Sequence, residues 1–394
     1  MEIPAIPALE SFSLVKGGPL YRLMLRVRLV TGESYLPMAI FFVVLTWLPL
    51  LVLSVWQGSG TGAHVRITFL RDFAVQARLL ISLPILIIAD AFVDPRLRVA
   101  MRQFVRSNLI APADVPRFEY AIRTLPGWRD SALAEAAIVL FAVVHAYFAL
   151  SKHGWYSATL SSWYAIPGPE GRILTPAGWW LQVSLSISLF FLGRWLWRLL
   201  VWARLLSQIN GLNLQLIPTH PDRAGGLAFV GKSQTRFGFV VFAVCAAGAG
   251  TCANWIVFEG ETLRSLESVI LAYLLIAMAV FMSPALLFTG RLYELKKKGQ
   301  LEYGALAMEY VQLFDSKWLR GSASREETFL GSKDIRSLAD LAISFDVVRQ
   351  MGIVVLDRKA VLAFLASATI PFLPLLLTVL PLRDLIKEAW KMLF

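Results

Sequence analysis

Charged residues are scarce in this chain. Only 16% of its 394 residues are Asp, Glu, Lys or Arg, against about 25% in a typical soluble domain. Hydrophobic residues make up 57%, and the mean hydropathy is +0.62. These values exclude an ordinary water-soluble domain and predict that lipid surrounds most of the chain.

Cysteine is nearly absent as well. The two cysteines, Cys245 and Cys252, lie in one apolar run and are too far apart along a helix to bridge. This spacing excludes a disulfide framework and a redox motif.

Residues 1–20 lack a basic cluster followed by an apolar core and a cleavage site, so we expect no cleaved signal peptide. The sequence contains no internal repeat, so an inverted-repeat transporter fold has no direct support.

Long apolar runs are what the chain does contain. A bilayer core of about 30 Å needs roughly 20 apolar helical residues. Six runs meet or approach this length: Leu36–Trp56, Phe73–Val93, Ala132–Ser151, Gly178–Trp202, Phe237–Phe258 and Val269–Thr289. A seventh, Ala360–Leu382, contains Pro371, Pro374 and Pro381, which predict a broken span or a re-entrant hairpin. The runs predict an all-α, polytopic membrane helix bundle of six to seven transmembrane helices.

Lysine and arginine in the connecting segments predict the orientation, because cytoplasmic loops are enriched in them. With the N-terminus inside, the four inner segments carry 4, 7, 6 and 12 such residues, 29 in all, whereas the three outer loops carry five. We therefore expect a cytoplasmic N-terminus. The net charge of +11 follows from this bias, so anionic lipids of the inner leaflet are expected partners and nucleic acid is not.

The same pattern divides the chain into parts. We expect a cytoplasmic N-terminal segment (1–35), a six-helix bundle (36–289) with cytoplasmic loops 94–131 and 203–236, a cytoplasmic helical segment (290–359), and a seventh membrane segment with an amphipathic tail (360–394). Arg98, Arg102 and Arg106 beside an apolar face predict an amphipathic helix on the inner leaflet. Segment 290–359 predicts a helical hairpin that continues the sixth span. Because it is small for an independent domain, we expect it to pack on the bundle or to bind a cytoplasmic partner.

Ionisable side chains at membrane depth are costly and indicate function. They are Asp90, Glu135, His145, Arg194 and Arg198. Counting along the helices places both carboxylates and both arginines at one depth near the inner surface, so we predict that Asp90 or Glu135 pairs with Arg194 or Arg198. A static ion pair and a gate or proton path both fit this network. His145, nearer mid-bilayer, fits a proton relay or a hydrogen bond within the bundle.

The loop after the fourth apolar run has an unusual sequence. Residues 217–233 read Ile-Pro-Thr-His-Pro-Asp-Arg-Ala-Gly-Gly-Leu-Ala-Phe-Val-Gly-Lys-Ser and contain the P-loop spacing G-x-x-x-x-G-K-S. Its position after a membrane helix, without a strand before it, argues against a nucleotide site. Backbone N–H groups of a Gly-rich loop before a helix instead suit an anion or a lipid headgroup. The candidate residues are His220, Asp222, Arg223, Gly225, Gly226, Lys232 and Arg236. The alternative is a rigid turn that Asp222 caps.

The fifth run is rich in alanine and glycine. Ala246 and Gly250 form a small-xxx-small pair, which lets helix backbones approach closely. We expect this helix to be central in the bundle or at a contact between copies of the chain, so a homo-oligomer is one expected assembly.

Four segments carry a resemblance. They are the loop Pro218–Gly231 and the segments Leu301–Leu306, Phe314–Leu319 and Asp334–Leu341. Together they resemble a group of bacterial multi-pass membrane proteins with a His-Pro-Asp-x-Ala-Gly-Gly-Leu loop and no assigned activity. The resemblance covers roughly the second half of the chain and implies a bacterial inner membrane.

Three functions fit these patterns. The intramembrane charges favour a channel or transporter, which would need a polar cavity lined by Asp90, Glu135 and His145. The hairpin favours a scaffold or signalling subunit with a cytoplasmic partner. Loop 217–236 favours a membrane-embedded enzyme or a headgroup-binding protein, although the balance is against an enzyme. We expect no cofactor and no metal, because His220 and Asp222 are too few for a metal site.

Overall fold

The computed structural model describes residues 6–31, 34–61, 65–151, 161–168, 171–320 and 333–378. Most of these residues are helical. The helices are α1 (Pro7–Glu10), α2 (Pro19–Arg26), α3 (Leu36–Trp56), α4 (Phe73–Arg106), α5 (Val115–Arg129), α6 (Ala132–Leu150), α7 (Pro176–Asn210), α8 (Ala228–Glu259), α9 (Glu267–Leu319), α10 (Lys333–Gln350) and α11 (Arg358–Thr378). A short antiparallel ribbon of β1 (Ala165–Gly168) and β2 (Gly171–Leu174) precedes α7.

Seven of these helices are long and apolar enough to cross a membrane: α3, α4, α6, α7, α8, α9 and α11. Their outward faces carry large apolar side chains that are more than half exposed, among them Val52, Leu140, Phe141, Ile276 and Leu362. Water-soluble proteins rarely expose such surface, whereas lipid solvates it well. The expected all-α bundle is confirmed, and the chain has the architecture of a multi-pass membrane protein.

Two spans extend well beyond their apolar runs. α4 continues without a break to Arg106, because its apolar face stays buried against α8, where the rings of Phe104 and Phe229 lie 4.9 Å apart. Residues 94–106 therefore extend the span, and the separate surface helix expected from Arg98 to Arg106 is wrong for this stretch. α9 continues the sixth span to Leu319, as predicted, and packs on α10.

Proline shapes the seventh span. Residues Arg358–Thr369 are α-helical, and Ile370–Thr378 form a 3-10 helix that contains Pro374. At 1.5 and 2.0 Å per residue these two parts reach about 36 Å, enough to cross a bilayer. The chain does not reverse between Arg358 and Thr378, which favours a crossing over a re-entrant hairpin. Pro381 and the predicted amphipathic tail lie outside the described residues.

α8 is the central helix and packs on α4, α9 and α11. A Cβ added at Gly250 would lie 2.5 Å from the carbonyl oxygen of Phe73 and 2.6 Å from the Cβ of Ala77. Only a glycine permits this approach of α8 to α4. The predicted central position of the small-residue helix is confirmed.

The connections between the spans meet at two ends of the bundle. At one end, Ile110 bridges to Leu214, and the backbone N–H of Gly352 donates to the carbonyl oxygen of Arg223. The segments rich in lysine and arginine lie at this end, which we call the basic end. At the other, the opposite end, Asp72 accepts hydrogen bonds from the side chains of Trp163 and Asn254.

Candidate functional site

A buried ion pair joins α4 to α7 near the basic end. The Asp90 carboxylate accepts hydrogen bonds from both terminal nitrogens of the Arg198 guanidinium, and both side chains are less than 10% exposed. The same guanidinium lies 5.0 Å from the ring of Trp195, which adds a cation–π contact. The pairing predicted from helix depth is confirmed.

A second pair lies at the same level, between α6 and α7. Arg194 Nε is 3.6 Å from Glu135 Oε1, and the other carboxylate oxygen of Glu135 accepts from the backbone N–H of Leu20 at 3.3 Å. The space beside these side chains measures only about 20 Å³. The network is therefore closed and too tight for a solute.

Residues 13–20, which we call the strap, cover the network. Asp94, one turn beyond Asp90 on α4, accepts hydrogen bonds from the Ser13 hydroxyl and the Leu14 backbone N–H, each at 2.8 Å. Asp94 also pairs with Arg98. A carboxylate with several donors is a strong anchor, because charged hydrogen bonds exceed neutral ones in strength.

Two arginines hold the carbonyl groups of the strap. Arg129 donates to the carbonyl oxygen of Ser13 at 2.7 Å, and Arg198 donates to that of Val15 at 3.4 Å. The side chains of Leu14 and Val15 are fully buried. The strap is thus packed into the basic end of the bundle and contacts α4, α5, α6 and α7.

The sequence analysis missed Asp94, Arg129 and the strap. Asp94 lies four residues after Asp90, so both share one helix face, and this spacing is the signal that points to Asp94. Nothing local marks Ser13, because its partner is 81 residues away.

His145 is not part of the charge network. It lies ten residues, or about 15 Å, along α6 from Glu135, which is too far for contact. Its ring stacks on Phe141, with the centroids 5.7 Å apart. The inclusion of His145 in the predicted network is therefore wrong, because its position nearer mid-bilayer puts it out of reach of the other four residues.

His145 instead lines a cavity between the helices of the bundle, which has a volume of about 430 Å³. Helices α4, α6, α7, α8 and α9 form its walls. Its polar lining residues are Arg78, Ser82, His145, Ser188, Thr251, Asn254 and Glu259, together with Tyr164 and Tyr273; the remainder are mostly Ala, Leu, Ile, Val and Trp. A largely apolar pocket of this size with a few convergent polar groups is typical of a small-ligand site.

Two π-helical segments border this cavity. One is Ala77–Ser82 in α4, which carries Arg78 and Ser82, and the other is Trp255–Glu259 in α8. Such i→i+5 segments widen the helix and recur at functional sites. The sequence analysis missed Arg78 as a lining residue of the cavity. No local sequence pattern predicts a π-helical segment.

Two serines face the cavity without a bonding partner. Ser82 is 3% and Ser188 is 6% exposed, yet neither hydroxyl has a hydrogen-bond partner among the residues that the structure describes. Other serines of α7 bond their own helix, as Ser186 does to the carbonyl oxygen of Gln182 at 2.8 Å. Neither oxygen is among the buried side-chain atoms that lack a partner, so both hydroxyls are open to the cavity, where water can bond them.

Trp195 separates the cavity from the charge network. Its indole N–H donates to the carbonyl oxygen of Leu86, a residue of the cavity floor, at 2.7 Å. Its ring contacts the Arg198 guanidinium on the other side. Leu86 precedes Asp90 by four residues, or about 6 Å. A thin, fully buried layer thus divides the cavity from the basic end. Neither Asp90 nor Glu135 lines the cavity, so the expected cavity lined by Asp90, Glu135 and His145 is wrong for the two carboxylates.

The Gly-rich loop is organised around its own carboxylate. Asp222 accepts hydrogen bonds from the backbone N–H groups of Ala224, Gly226 and Ala228, at 2.9 to 3.0 Å. Burial alone would raise the pKa of Asp222, but these three N–H groups and His220 hold it below its usual range. The N–H groups proposed for an external anion are thus occupied, which favours the rigid-turn interpretation.

The remaining loop candidates serve packing or lie at the surface. Gly225 and Gly226 have φ angles of +63° and +97°, which side chains rarely adopt. A Cβ at Gly231 would lie 2.1 Å from the carbonyl oxygen of Val355. Lys232 and Arg223 are exposed, and Arg236 is half-buried. The P-loop spacing therefore reflects a turn and a close backbone contact.

Among the described residues, no group of three His, Cys, Asp or Glu side chains is placed to hold a metal ion. Comparisons with protein-family models, with curated proteins and with solved structures find no match to this chain.

Proposed function

We propose that this chain is a transport protein whose solute site is the 430 Å³ cavity. Its gate is the charge network of Asp90, Glu135, Arg194 and Arg198, on the basic-end side of the cavity. The observation that carries the proposal is the position of Trp195, which lies between the cavity and the charge network. The cavity on one side is open, and the charge network on the other side is closed and covered by the strap. This arrangement corresponds to one state of an alternating-access cycle.

The proposed gate has the chemistry of a switch. Its ion pairs, Asp90 with Arg198 and Glu135 with Arg194, join helices that would separate if the basic end opened. Separation exposes the charges to water, which compensates for the lost pairing. We place the basic end in the cytoplasm of a bacterial inner membrane, on the strength of the lysine and arginine bias.

Thiol labelling tests the proposal without a known substrate. The reporter is Ser188→Cys in proteoliposomes of one orientation, treated with a membrane-impermeant maleimide from either side. We expect labelling from the opposite end only. Asp90→Asn, which breaks the gate, should add labelling from the basic end.

The controls lie on the same helix and in the parent chain. Ser184→Cys lies one turn from the reporter, but Ser184 is fully buried and bonds the carbonyl oxygen of Thr46, so it should stay unlabelled. The native Cys245 and Cys252 are buried and set the background. A reporter whose labelling is the same with and without Asp90→Asn would rule out the gate.

A second candidate, a scaffold, rests on the hairpin of α9 and α10. Leu301, Met308, Leu313 and Ile343 are each more than 60% exposed there. A photo-crosslinking residue at Met308 should capture a defined partner, whereas one at the charged, exposed Glu302 should not. Equal capture at both positions, or none, would remove the scaffold from consideration.

A further inference from the structure

Helix α2, at the surface of the basic end, presents apolar and basic side chains next to one another. Leu20 and Leu23 are three residues apart and share one face of the helix, and Leu23 is 50% exposed. Arg22 and Arg26 are four residues apart and share the adjoining face, where both are exposed. Val27, which follows the helix, is also more than half exposed. This pattern suits a helix in the plane of a membrane surface, with leucine in the lipid and arginine among the headgroups.

Contacts with the bundle hold α2 at the level of the charge network. The backbone N–H of Leu20 donates to Glu135 Oε2 at 3.3 Å, and the side chain of Met24 is buried. The Arg22 guanidinium lies 3.4 Å from the carboxylate of Asp130, which precedes α6. Glu135 belongs to the first turn of α6, so α2 lies where this span leaves the membrane.

The positive charge of α2 and of the turn after it is not neutralised by the protein. Arg26 and Arg28 are exposed, and neither pairs with a carboxylate in the part of the chain that the structure describes. Arg22 has one partner, at 3.4 Å, and its side chain remains 66% exposed. Anionic headgroups complement this charge, because a membrane surface that carries them attracts each nearby arginine.

A groove on the side of the bundle begins at the same helix. It has a volume of about 560 Å³ and is lined by residues of α2, α3, α6 and α7. Leu20 lines it near the basic end, and its residues on α7 extend from Phe190 to Trp179, a distance of about 16 Å along the helix. Apart from Gln182 and Ser186 the lining is apolar, and its three valines are exposed. The groove is therefore open to lipid and suits an acyl chain better than a polar solute.

We propose that α2 and this groove bind one anionic phospholipid. An acyl chain lies in the groove, and the phosphate lies against Arg26 and Arg28. Arg26 follows Leu20 by six residues, about 9 Å, which its own side chain and a phospholipid headgroup span together. Because α2 begins within the strap, the bound lipid also holds the strap on the charge network. The inference goes beyond the transport proposal, since a lipid site and a lipid-stabilised strap require no solute.

Photo-crosslinking of the full chain in nanodiscs tests the site. The probe is phosphatidylglycerol with a diazirine in one acyl chain, diluted in phosphatidylcholine, and the reference is phosphatidylcholine with the same labelled chain. We expect about tenfold more cross-links to groove residues such as Val139 and Val183 from the anionic probe, because two unpaired arginines attract its headgroup. Equal yields from the two probes at these positions would overturn the proposal.

Paired variants locate the headgroup. Arg26→Gln, Arg28→Gln should bring the ratio of anionic to neutral cross-links close to one and leave the yield from phosphatidylcholine unchanged. The matched control, Lys333→Gln, Arg336→Gln, removes the same charge from exposed positions on α10 and should keep the ratio of the parent. If the control lowers the ratio as much, the net charge of the protein rather than α2 recruits the lipid, and the assigned site is wrong.

Amide hydrogen exchange of residues 13–20 tests the effect on the strap. Replacing part of the phosphatidylcholine by phosphatidylglycerol should slow this exchange several-fold in the parent, but not in Arg26→Gln, Arg28→Gln. Glycerol phosphate added to phosphatidylcholine nanodiscs should have no effect; protection by it would mean that α2 binds a water-soluble anion and would overturn the lipid assignment. Exchange that is equal in the two lipid mixtures would overturn the link between the lipid and the strap.

Discussion

The hydroxyl of Ser13 donates to the carboxylate of Asp94 at 2.8 Å, across 81 residues of sequence. The same hydroxyl accepts from the backbone N–H groups of Val15 and Lys16 at 3.2 and 2.8 Å. One small side chain thus closes a turn of the strap and attaches that turn to α4. Because the strap also binds Arg198, its release and the opening of the ion-pair layer should be coupled.

Ser13→Ala should loosen the strap. It removes the bond to Asp94 and the acceptor of the Lys16 N–H, whereas the Val15 N–H keeps Asp94 Oδ1 at 3.2 Å. We therefore expect a loss of about 1–3 kcal/mol in the free energy of docking. Amide hydrogen exchange of residues 13–20 measures this directly. The control Ser11→Ala changes an exposed serine with one 3.4 Å bond and should leave exchange unchanged. Equal protection in both variants would contradict the anchoring role.

Removing one partner of the Asp90–Arg198 pair should destabilise the protein strongly, whereas removing both should cost less than the sum of the two single changes. Asp90→Asn or Arg198→Gln leaves one charge without its partner, so each should lower the free energy of unfolding by about 3–5 kcal/mol. The double variant Asp90→Asn, Arg198→Gln removes both charges and should lose less than the two single losses combined. Denaturant unfolding of all four proteins in one detergent gives the coupling energy. Additive losses would mean that the pair does not interact.

Gly231→Ala should destabilise the protein without any nucleotide present. The added methyl group would meet the carbonyl oxygen of Val355, and the backbone shift should cost about 1–3 kcal/mol of unfolding free energy. Gly290→Ala is the matched control: nothing lies within 4 Å of its Cβ position, so it should be neutral or gain about 0.5–1 kcal/mol as a better helix former. Equal stability of the two variants would show that the close contact is absent.

The Asp222 turn should make part of the stability depend on pH. Its folded-state pKa lies below the unfolded value of about 3.9, so its contribution is present above that pH and is lost as the pH falls through the folded pKa. We expect Asp222→Asn to be less stable than the parent at pH 7. The difference should narrow below about pH 4, because only the parent is protonated there. Thermal unfolding of both proteins across pH 2–7 measures this difference in stability. A difference that widens in acid would contradict a lowered pKa for Asp222.

The membrane architecture was predictable because its causes are local. A crossing needs about 20 apolar residues in sequence, and Leu36–Trp56 has the same bounds in the structure as in the sequence reading. The pairing of Asp90 and Glu135 with arginines followed from the constant rise of a helix, which converts residue counts into depth. The continuation of α9 to Leu319 followed from the same periodicity.

The sequence by itself thus determined the spans, the clustering of basic residues at one end and the depth of the charges. Only the tertiary structure decided that Arg198 pairs with Asp90, that residues 13–20 cover this pair, and that Arg78 and His145 line the same cavity. Those contacts join residues far apart in the chain, and their geometry depends on how seven helices pack. Hydrophobic patterning specifies which residues enter the membrane, but shape complementarity between helices selects the neighbours of each side chain.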